Sequence, residues 1–258
     1  MKTDTQHRIL RIIRMNEGTR PIELARKLGL SPQAIHRHLR KLVASAQIET
    51  QGRGPRTRYF AAGRPQLDRV VDWCTSTAQP SDNPSETLCE TRDVFTSRLS
   101  RISSFLKVGL KEEDLSLVIS AAGEIGNNCF DHNIGIWRDI PGCWFETQLR
   151  AERLWICIAD RGQGIFQSLK RVDPSIPDAQ AALMTAFEKT ISGRAPENRG
   201  NGLKFVRNII MEGGNRGLAC RSGSGLLDYG NLGQECRSEL NRFPHPPVGT
   251  MTLVLWRL

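Results

Sequence analysis

Glu124, Asn128 and Asp131 recur along one stretch of the chain at spacings of four and three residues. That spacing places the three side chains on one face of a helix. A carboxylate there can accept a proton from water, and an amide oxygen can complete the oxygen shell of a magnesium ion. The polar face of an ordinary surface helix has the same pattern, so both interpretations stay open for this stretch alone.

A second candidate, Asp160-Arg-Gly-Gln-Gly164, follows directly on the apolar run 153–159, which is typical of a buried strand. A carboxylate fixed at a strand end can accept a hydrogen bond from an exocyclic amine. Gly162 and Gly164 lack side chains and would let the backbone approach a flat base closely. A simple turn would also use this pattern.

A third group, Arg199-Gly-Asn-Gly-Leu203, precedes residues 204–210, which are expected to form a helix. Glycines at the start of a helix expose free N–H groups at its positive end, an arrangement suited to phosphates. Further cations that could meet a terminal phosphate, or be solvated loop charges, are Lys189, Arg194 and Arg199.

Four motifs occur in order: Glu124-x-x-x-Asn128 with His132 four residues on, Asp160-x-Gly162-x-Gly164, Gly200-x-Gly202-Leu203, and Gly249-Thr250 before a last strand. Together, over residues 86–258, they resemble the ATP-binding domain shared by DNA gyrase, mismatch-repair ATPases, histidine kinases and anti-sigma-factor serine kinases. The resemblance implies an α/β sandwich of the Bergerat type, in which helices cover one face of a mixed sheet.

The same resemblance implies ATP and Mg²⁺ as cofactors. In the family's terms, Asn128 holds magnesium, Asp160 reads the adenine amine, Gly200 and Gly202 line the phosphate lid, and Glu124 stands where the general base stands. The full set expected to contact the nucleotide is Asn128, Asp131, Asp160, Gly162, Gly164, Arg199, Gly200, Gly202, Leu203 and Thr250.

Periodicity indicates the elements that must position these residues. Helices are expected over 86–107, 115–133, 178–189 and 204–210, strands over 142–150, 153–159, 218–221 and 251–256, and loop over 227–248. In histidine kinases the helix before the ATP-binding domain carries the phosphorylated histidine. Because the stretch 86–107 contains no histidine, a self-phosphorylating histidine kinase is not expected.

The composition, 39% hydrophobic over 258 residues, is that of a globular protein with room for two domains. No apolar run is long enough to cross a bilayer and the N-terminus lacks a signal peptide's apolar region, so a cytoplasmic location is expected. The seven cysteines form no CxxC pair. Small buried fillers in a reducing compartment are therefore expected, without disulfides or zinc.

Positive charge is concentrated at the N-terminus. Residues 1–63 hold 13 Lys or Arg against 4 Asp or Glu, while residues 64–258 hold 23 of each kind. A small basic domain joined to a neutral one indicates that the first contacts a polyanion.

Helices are expected over 5–14, 19–28 and 31–44, followed by a hairpin over 46–61 with a basic, glycine-rich tip. Gly29 suits a helix end, Ser31 an N-cap and Pro32 a first helical position. This order resembles the winged-helix DNA-binding domains of bacterial transcription regulators. A winged helix used for protein contact is the alternative.

On the DNA-binding reading, residues 31–44 enter the major groove. Candidates for base edges are Gln33, Ala34, Arg37 and His38. Candidates for phosphates are Lys41, Arg53, Arg56 and Arg58.

The expected organisation is therefore α+β: a winged helix over 1–63, a linker over 64–85 and an ATP-binding domain over 86–258. A short helix over 66–75 is expected before the polar, proline-containing part of the linker. The expected function is transcription regulation, with nucleotide controlling the binding of double-stranded DNA. The sequence ends two residues after Trp256, so the further domain that supplies a phosphate-sensing lysine in gyrase-like ATPases is not expected. The enzymatic alternatives are an ATPase and an anti-sigma-type serine kinase acting on a partner protein through Glu124. Homodimerisation is a further expectation.

Overall fold

The computed structural model describes residues 2–16, 18–45, 47–78, 80, 85–106, 110–189 and 201–258. Contacts within the chain divide it into two compact units. The first comprises Met1–Arg64 with Leu149–Glu152, and the second Pro65–Gln148 with Arg153–Leu258.

The first unit is a three-helix bundle followed by a hairpin. Its elements are α1 (Lys2–Met15), α2 (Pro21–Leu28), α3 (Pro32–Ala44), β1 (Ile48–Gln51), a 3₁₀ turn (Gly54–Arg56) and β2 (Arg58–Ala61). The two strands pair antiparallel. Apolar side chains of all these helices and strands form one core: Ile9, Ile13, Leu24, Ile35, Leu39, Leu42, Ile48 and Tyr59.

The residues predicted to end α2 and to begin α3 are confirmed in these positions. Gly29 ends α2 in the left-handed region, with φ of 65°. The Ser31 hydroxyl accepts a hydrogen bond from the Ala34 N–H at 3.2 Å, and Pro32 opens α3. Because the end of α2 and the start of α3 are both fixed by local chemistry, the turn between them is short.

The second unit contains a six-stranded sheet in the order β3-β4-β5-β8-β6-β7. Its strands are β3 (Leu88–Cys89), β4 (Cys143–Arg150), β5 (Arg153–Asp160), β6 (Arg216–Ser222), β7 (Gly225–Tyr229) and β8 (Thr250–Arg257). Every strand pair whose register is described is antiparallel, where the resemblance implied a mixed sheet.

Helices lie on both faces of this sheet. They are α4 (Asp68–Thr75), α5 (Arg92–Leu106), α6 (Glu112–Asp131), α7 (Gly164–Lys170), α8 (Ala179–Glu188), α9 (Gly202–Glu212) and α10 (Gly233–Leu240). Residues of α5, α6, α8 and α9 share a core with Ile156 and Ile158 of β5. Residues of α4 and α10 share a second core with Trp155 and Cys157, which point the other way from the same strand. The predicted fold class is confirmed, and the structure adds this second helical layer.

The start of the second unit differs from the expected boundaries. Leu88, expected on a helix, lies in β3 opposite Trp144 of β4, and the helix begins only at Arg92. The short helix expected over 66–75 is present as α4, whose Val70, Trp73 and Cys74 are buried against the sheet, so this part of the expected linker belongs to the second unit. The apolar content of this segment outweighs the linker-like Pro and Ser residues that follow it.

The expected loop over 227–248 contains most of β7 and all of α10. Both are short, and α10 buries little apolar surface beyond Cys236 and Leu240, so periodicity alone did not reveal them. The seven cysteines are buried and free, as expected of apolar fillers. Among the described residues, no helix is long and apolar enough to cross a membrane.

Candidate functional site

Four of the predicted motifs converge on one cleft in the second unit, between α6, the end of β5, α7, the start of α9 and β8. Predicted residues that line this polar cleft are Asn128, Asp160, Gly164, Gly202, Leu203 and Thr250. Apolar and thiol side chains contribute much of the remaining wall, among them Ile125, Cys129, Ile158, Ile165, Leu169 and Cys220. The cleft therefore combines an apolar interior with a few polar groups, which is the usual build of a small-molecule site.

Asp160 is the buried charge of the polar cleft. It ends β5 and is only 4% exposed. Its Oδ1 accepts a hydrogen bond from the Gly162 N–H at 2.8 Å. Burial raises the pKa of this carboxyl to about 6, although the N–H groups of Gly162 and Thr250 favour the charged form. At neutral pH the group is an ionised acceptor that lacks the hydration of a surface carboxylate.

Glycine is required at two places around Asp160, for packing. A Cβ on Gly249 would lie 2.3 Å from Asp160 Oδ1. A Cβ on Gly162 would lie 2.0 Å from Asn133 Oδ1, and Gly162 is not among the residues that line the cleft. The missing side chain of Gly162 makes room for Asn133. Gly164 does line the cleft and has φ of 76°.

Asn133 is a site residue that the sequence analysis missed. It is buried, and its Nδ2 donates to the Cys129 carbonyl at 2.7 Å and lies 3.4 Å from Asp160 Oδ1. Its Oδ1 accepts from the Gln163 N–H at 3.0 Å. Asn133 thereby ties the end of the α6 segment to the Asp160 loop. No spacing rule distinguishes it from neighbouring polar residues.

A hydroxyl on β6 completes the support beneath the cleft. Ser222 Oγ accepts from the Ile165 N–H at 2.9 Å and lies 3.1 Å from the Thr250 hydroxyl. It therefore joins the start of α7 to the start of β8. Within the cleft itself, the Ser168 hydroxyl lies 3.2 Å from His132 Nδ1.

The predicted polar face of α6 divides between two environments. Asn128 lines the cleft, and its Nδ2 is buried without a hydrogen-bond partner among the described residues. Glu124 approaches α9 so closely that a Cβ on Gly202 would lie 2.4 Å from its Oε2. Asp131 instead forms an ion pair with Arg92 of α5 and is not among the lining residues, so the structure does not bring it to the cleft.

A magnesium ion would fit here only with ligands from a bound nucleotide. The described residues contain no cluster of three or more His, Cys, Asp or Glu that could hold a metal. The unpartnered amide of Asn128 could turn its oxygen into the cleft. One protein ligand with phosphate and water oxygens is a common arrangement for Mg²⁺.

The structure describes only part of the segment that was expected to contact phosphate. Arg199 and Gly200, like Arg194, lie outside the described residues. Lys189 is exposed at the end of α8. Gly202 and Leu203 open α9 beside Glu124 and Asn128.

The first unit carries the predicted nucleic-acid residues on α3 and the hairpin. The exposed ones, which form the basic face, are Gln33, Arg37, Lys41, Arg53, Arg56 and Arg58. Ala34 and His38 are half-buried. Burial and the neighbouring Arg37 and Lys41 lower the pKa of His38, so a neutral imidazole is favoured.

Arg58 has a structural contact as well as an exposed surface. Its guanidinium donates to the Gly18 carbonyl at 3.1 Å, which ties β2 to the segment before α2. The remaining predicted phosphate-binding arginines, Arg53 and Arg56, lie at the exposed tip of the hairpin.

Comparison with known families supports the assignment of the first unit as a DNA-binding domain. Residues 2–45 match the family described as winged helix-turn-helix DNA-binding. The chain therefore has an N-terminal winged helix-turn-helix DNA-binding domain. A search of curated proteins found no match. The family match ends before the second unit, so an assignment of the polar cleft depends on its residues and geometry.

Proposed function

We propose that this protein is a transcription regulator whose second unit binds ATP with magnesium in the polar cleft, and that the nucleotide controls DNA binding by the winged helix. One observation carries the proposal. The buried Asp160 carboxylate shares a cleft with Asn128 and Gly202, which come from distant parts of the chain. The cleft thus offers an acceptor for an amine at one end and donors for phosphate at the other.

At the base end, ionised Asp160 can only accept hydrogen bonds, and adenine presents an exocyclic amine. Guanine carries a carbonyl oxygen at the corresponding position, and that oxygen would face the carboxylate. The apolar walls, including Ile158, Ile165 and Leu169, suit the faces of a flat ring. ATP is therefore favoured over GTP.

At the phosphate end, α9 begins at Gly202, and the first N–H groups of a helix have no hydrogen-bond partner within it. The buried Asn128 Nδ2 can donate to a phosphate oxygen, or the reversed amide can hold magnesium. Magnesium would neutralise phosphate charge there. Glu124 sits beside the same point, where it can orient water or a hydroxyl.

The first test is ATP binding, measured by calorimetry with magnesium at pH 7.5. The wild type is expected to bind ATP in preference to GTP. Asp160→Asn should weaken ATP binding at least about 100-fold, since it replaces a charged acceptor by an amide that also presents donors. The matched control is Asp228→Asn, which removes a carboxylate paired with Arg237 outside the lining of the cleft. Equal ATP affinity in wild type and Asp160→Asn would refute the assignment of the base.

The position of Glu124 favours a second candidate, an anti-sigma-type serine kinase. Its carboxylate lies against the start of α9. With the phosphates of ATP at that helix end, as proposed, it could help remove a proton from a serine hydroxyl. Incubation with γ-labelled ATP and extracted cell proteins separates the two functions. Label on a partner protein, lost in Glu124→Gln, supports the kinase, whereas free phosphate or no turnover supports the nucleotide-controlled regulator.

A further inference from the structure

Arg161 is a buried cation inside the motif that supplies Asp160, yet base recognition makes no use of it. Its side chain is 0% exposed. Arginine is rarely buried to this extent unless its charge is paired and its donors are satisfied. The contacts of the guanidinium therefore indicate what its burial achieves.

The guanidinium joins two other segments to the end of β5. Nε donates to Asp139 at 2.9 Å, and one terminal nitrogen pairs with the same carboxylate. The remaining N–H groups donate to main-chain carbonyls: Trp73 at 2.5 Å, Ser76 at 3.0 Å and Ala78 at 3.2 Å. All five donors of the group are thus used, three of them on the end of α4 and the residues after it.

The helix held in this way is the first element of the second unit along the chain. Arg64 is the last residue of the first unit before Pro65 begins the second. Gln66 is fixed by two hydrogen bonds to the Gln148 side chain, each 2.8 Å long. Residues 66–78 are therefore anchored to the sheet at one end and to Arg161 at the other, and they lead directly into the winged-helix unit.

Asp160 and Arg161 share one peptide unit, so a change at either side chain constrains the other. Asp160 Oδ1 also holds the Gly162 N–H, which fixes the backbone on the far side of Arg161. A ligand that hydrogen-bonds to Asp160 therefore acts on the loop that positions the guanidinium. Because the planar guanidinium uses all five of its hydrogen-bond donors, a movement of this loop would change several of its hydrogen bonds at once.

We propose that Arg161 is the positioning residue that couples occupancy of the polar cleft to α4, and through the chain to the DNA-binding unit. The inference depends on the proposed function, because it takes ATP as the ligand at Asp160. Coupling of this kind is reciprocal: if ATP changes DNA affinity, DNA changes ATP affinity by the same factor.

Hydrogen exchange of the full chain tests the first step. ATP with magnesium is expected to slow amide exchange over residues 73–78 about fivefold or more in the wild type, the lower end of typical coupling effects. Arg161→Lys keeps the charge but has three donors and no planar group, so it should lose this response. Its ATP affinity should fall far less than that of Asp160→Asn, because the carboxylate that accepts from the base is still present.

Arg216→Lys is the matched control. Arg216 is also mostly buried, pairs with Asp114 at 2.9 Å and donates to the Ile209 carbonyl at 2.9 Å. It should lose stability but keep the ATP response over 73–78. Should Arg161→Lys fail to fold, Asp139→Asn weakens the same guanidinium contacts more gently and should reduce the response.

The second step is measured as the affinity for a labelled duplex of mixed sequence, with and without ATP. The ratio should differ from one in the wild type and in Arg216→Lys, and approach one in Arg161→Lys. If the wild type binds no ATP, the proposed function itself fails. If ATP binds but exchange over 73–78 is unchanged, or changes equally in Arg161→Lys, the coupling role is overturned while ATP binding stands.

Discussion

The basic face and the polar cleft present their charges in opposite ways. The basic face takes its cations from residues 37–58, a continuous stretch of 22 residues, and leaves them exposed to water. The polar cleft gathers Asn128, Asp160, Gly202 and Thr250 from across more than 120 residues and buries its key carboxylate. Exposed charges contribute small, salt-screened effects that add up, whereas a buried group has a large effect that depends on pH.

The largest expected effect on stability follows from the burial of Asp160. Its folded pKa of about 6 lies above the ordinary 3.8, so the folded state holds more protons than the unfolded state between these values. Stability contributed by this group therefore falls as pH rises from about 4 to 6, by up to about 3 kcal/mol. Asp160→Asn should remove that penalty and raise the free energy of unfolding at pH 7.5, measured in urea, while it weakens ATP binding.

The same variant at pH 4 is the internal control, because wild-type Asp160 is then mostly protonated and the gain should shrink. A variant that loses ATP binding and is also less stable at pH 7.5 would mean that the carboxylate supports the fold. The contrast between buried and exposed charge would then be weaker than the structure indicates.

Substitution of two glycines on α6 tests how closely this helix, which lines the cleft, must pack against α5. A Cβ on Gly126 would lie 2.0 Å from the Phe95 ring, whereas one on Gly123 would meet only Leu99, at 3.4 Å. Gly126→Ala should cost about 1–3 kcal/mol through overpacking. Gly123→Ala should be neutral or stabilising by up to about 1 kcal/mol, because alanine favours the helix. Equal effects of the two substitutions in thermal unfolding would contradict this packing.

ATP binding should depend on pH in a way that DNA binding does not share. Asp160 loses its charge as pH falls through about 6, so ATP affinity should drop about tenfold between pH 7 and pH 5. In Asp160→Asn the residual binding should lack this step. A wild-type profile that is flat over this range would show that another group reads the ligand.

The first unit was predictable from the sequence because its signals are local. Ser31 and Gly29 fix helix ends within a few residues, and the resulting arrangement matches a known family over residues 2–45. The residues that line the cleft were predictable only as motifs, since no local rule brings Asp160 next to Gly249. The spacing of the motifs could not show which side chain each polar residue would contact. Asp131 faces Arg92 because α5 packs on that side of α6.

Buried polar contacts were the part hidden from the sequence. Asn133 and Arg161 resemble ordinary surface residues in composition, and each is defined by segments far away in the chain. The short elements β7 and α10 were missed for a related reason. They are held by the sheet more than by a periodic apolar stripe of their own.

The smallest expected effect belongs to single cations of the basic face. Arg53→Gln with Arg56→Gln should reduce the slope of log affinity for duplex DNA against log salt by about 2, since each phosphate contact contributes about 0.9. Folding should be unaffected, whereas Arg58→Gln also loses the hydrogen bond to Gly18 and should lower the melting temperature. Arg257→Gln removes one positive charge from the second unit and should leave the slope unchanged. A drop in slope of about 0.9 for Arg257→Gln would mean that net charge, and not the hairpin tip, governs DNA binding.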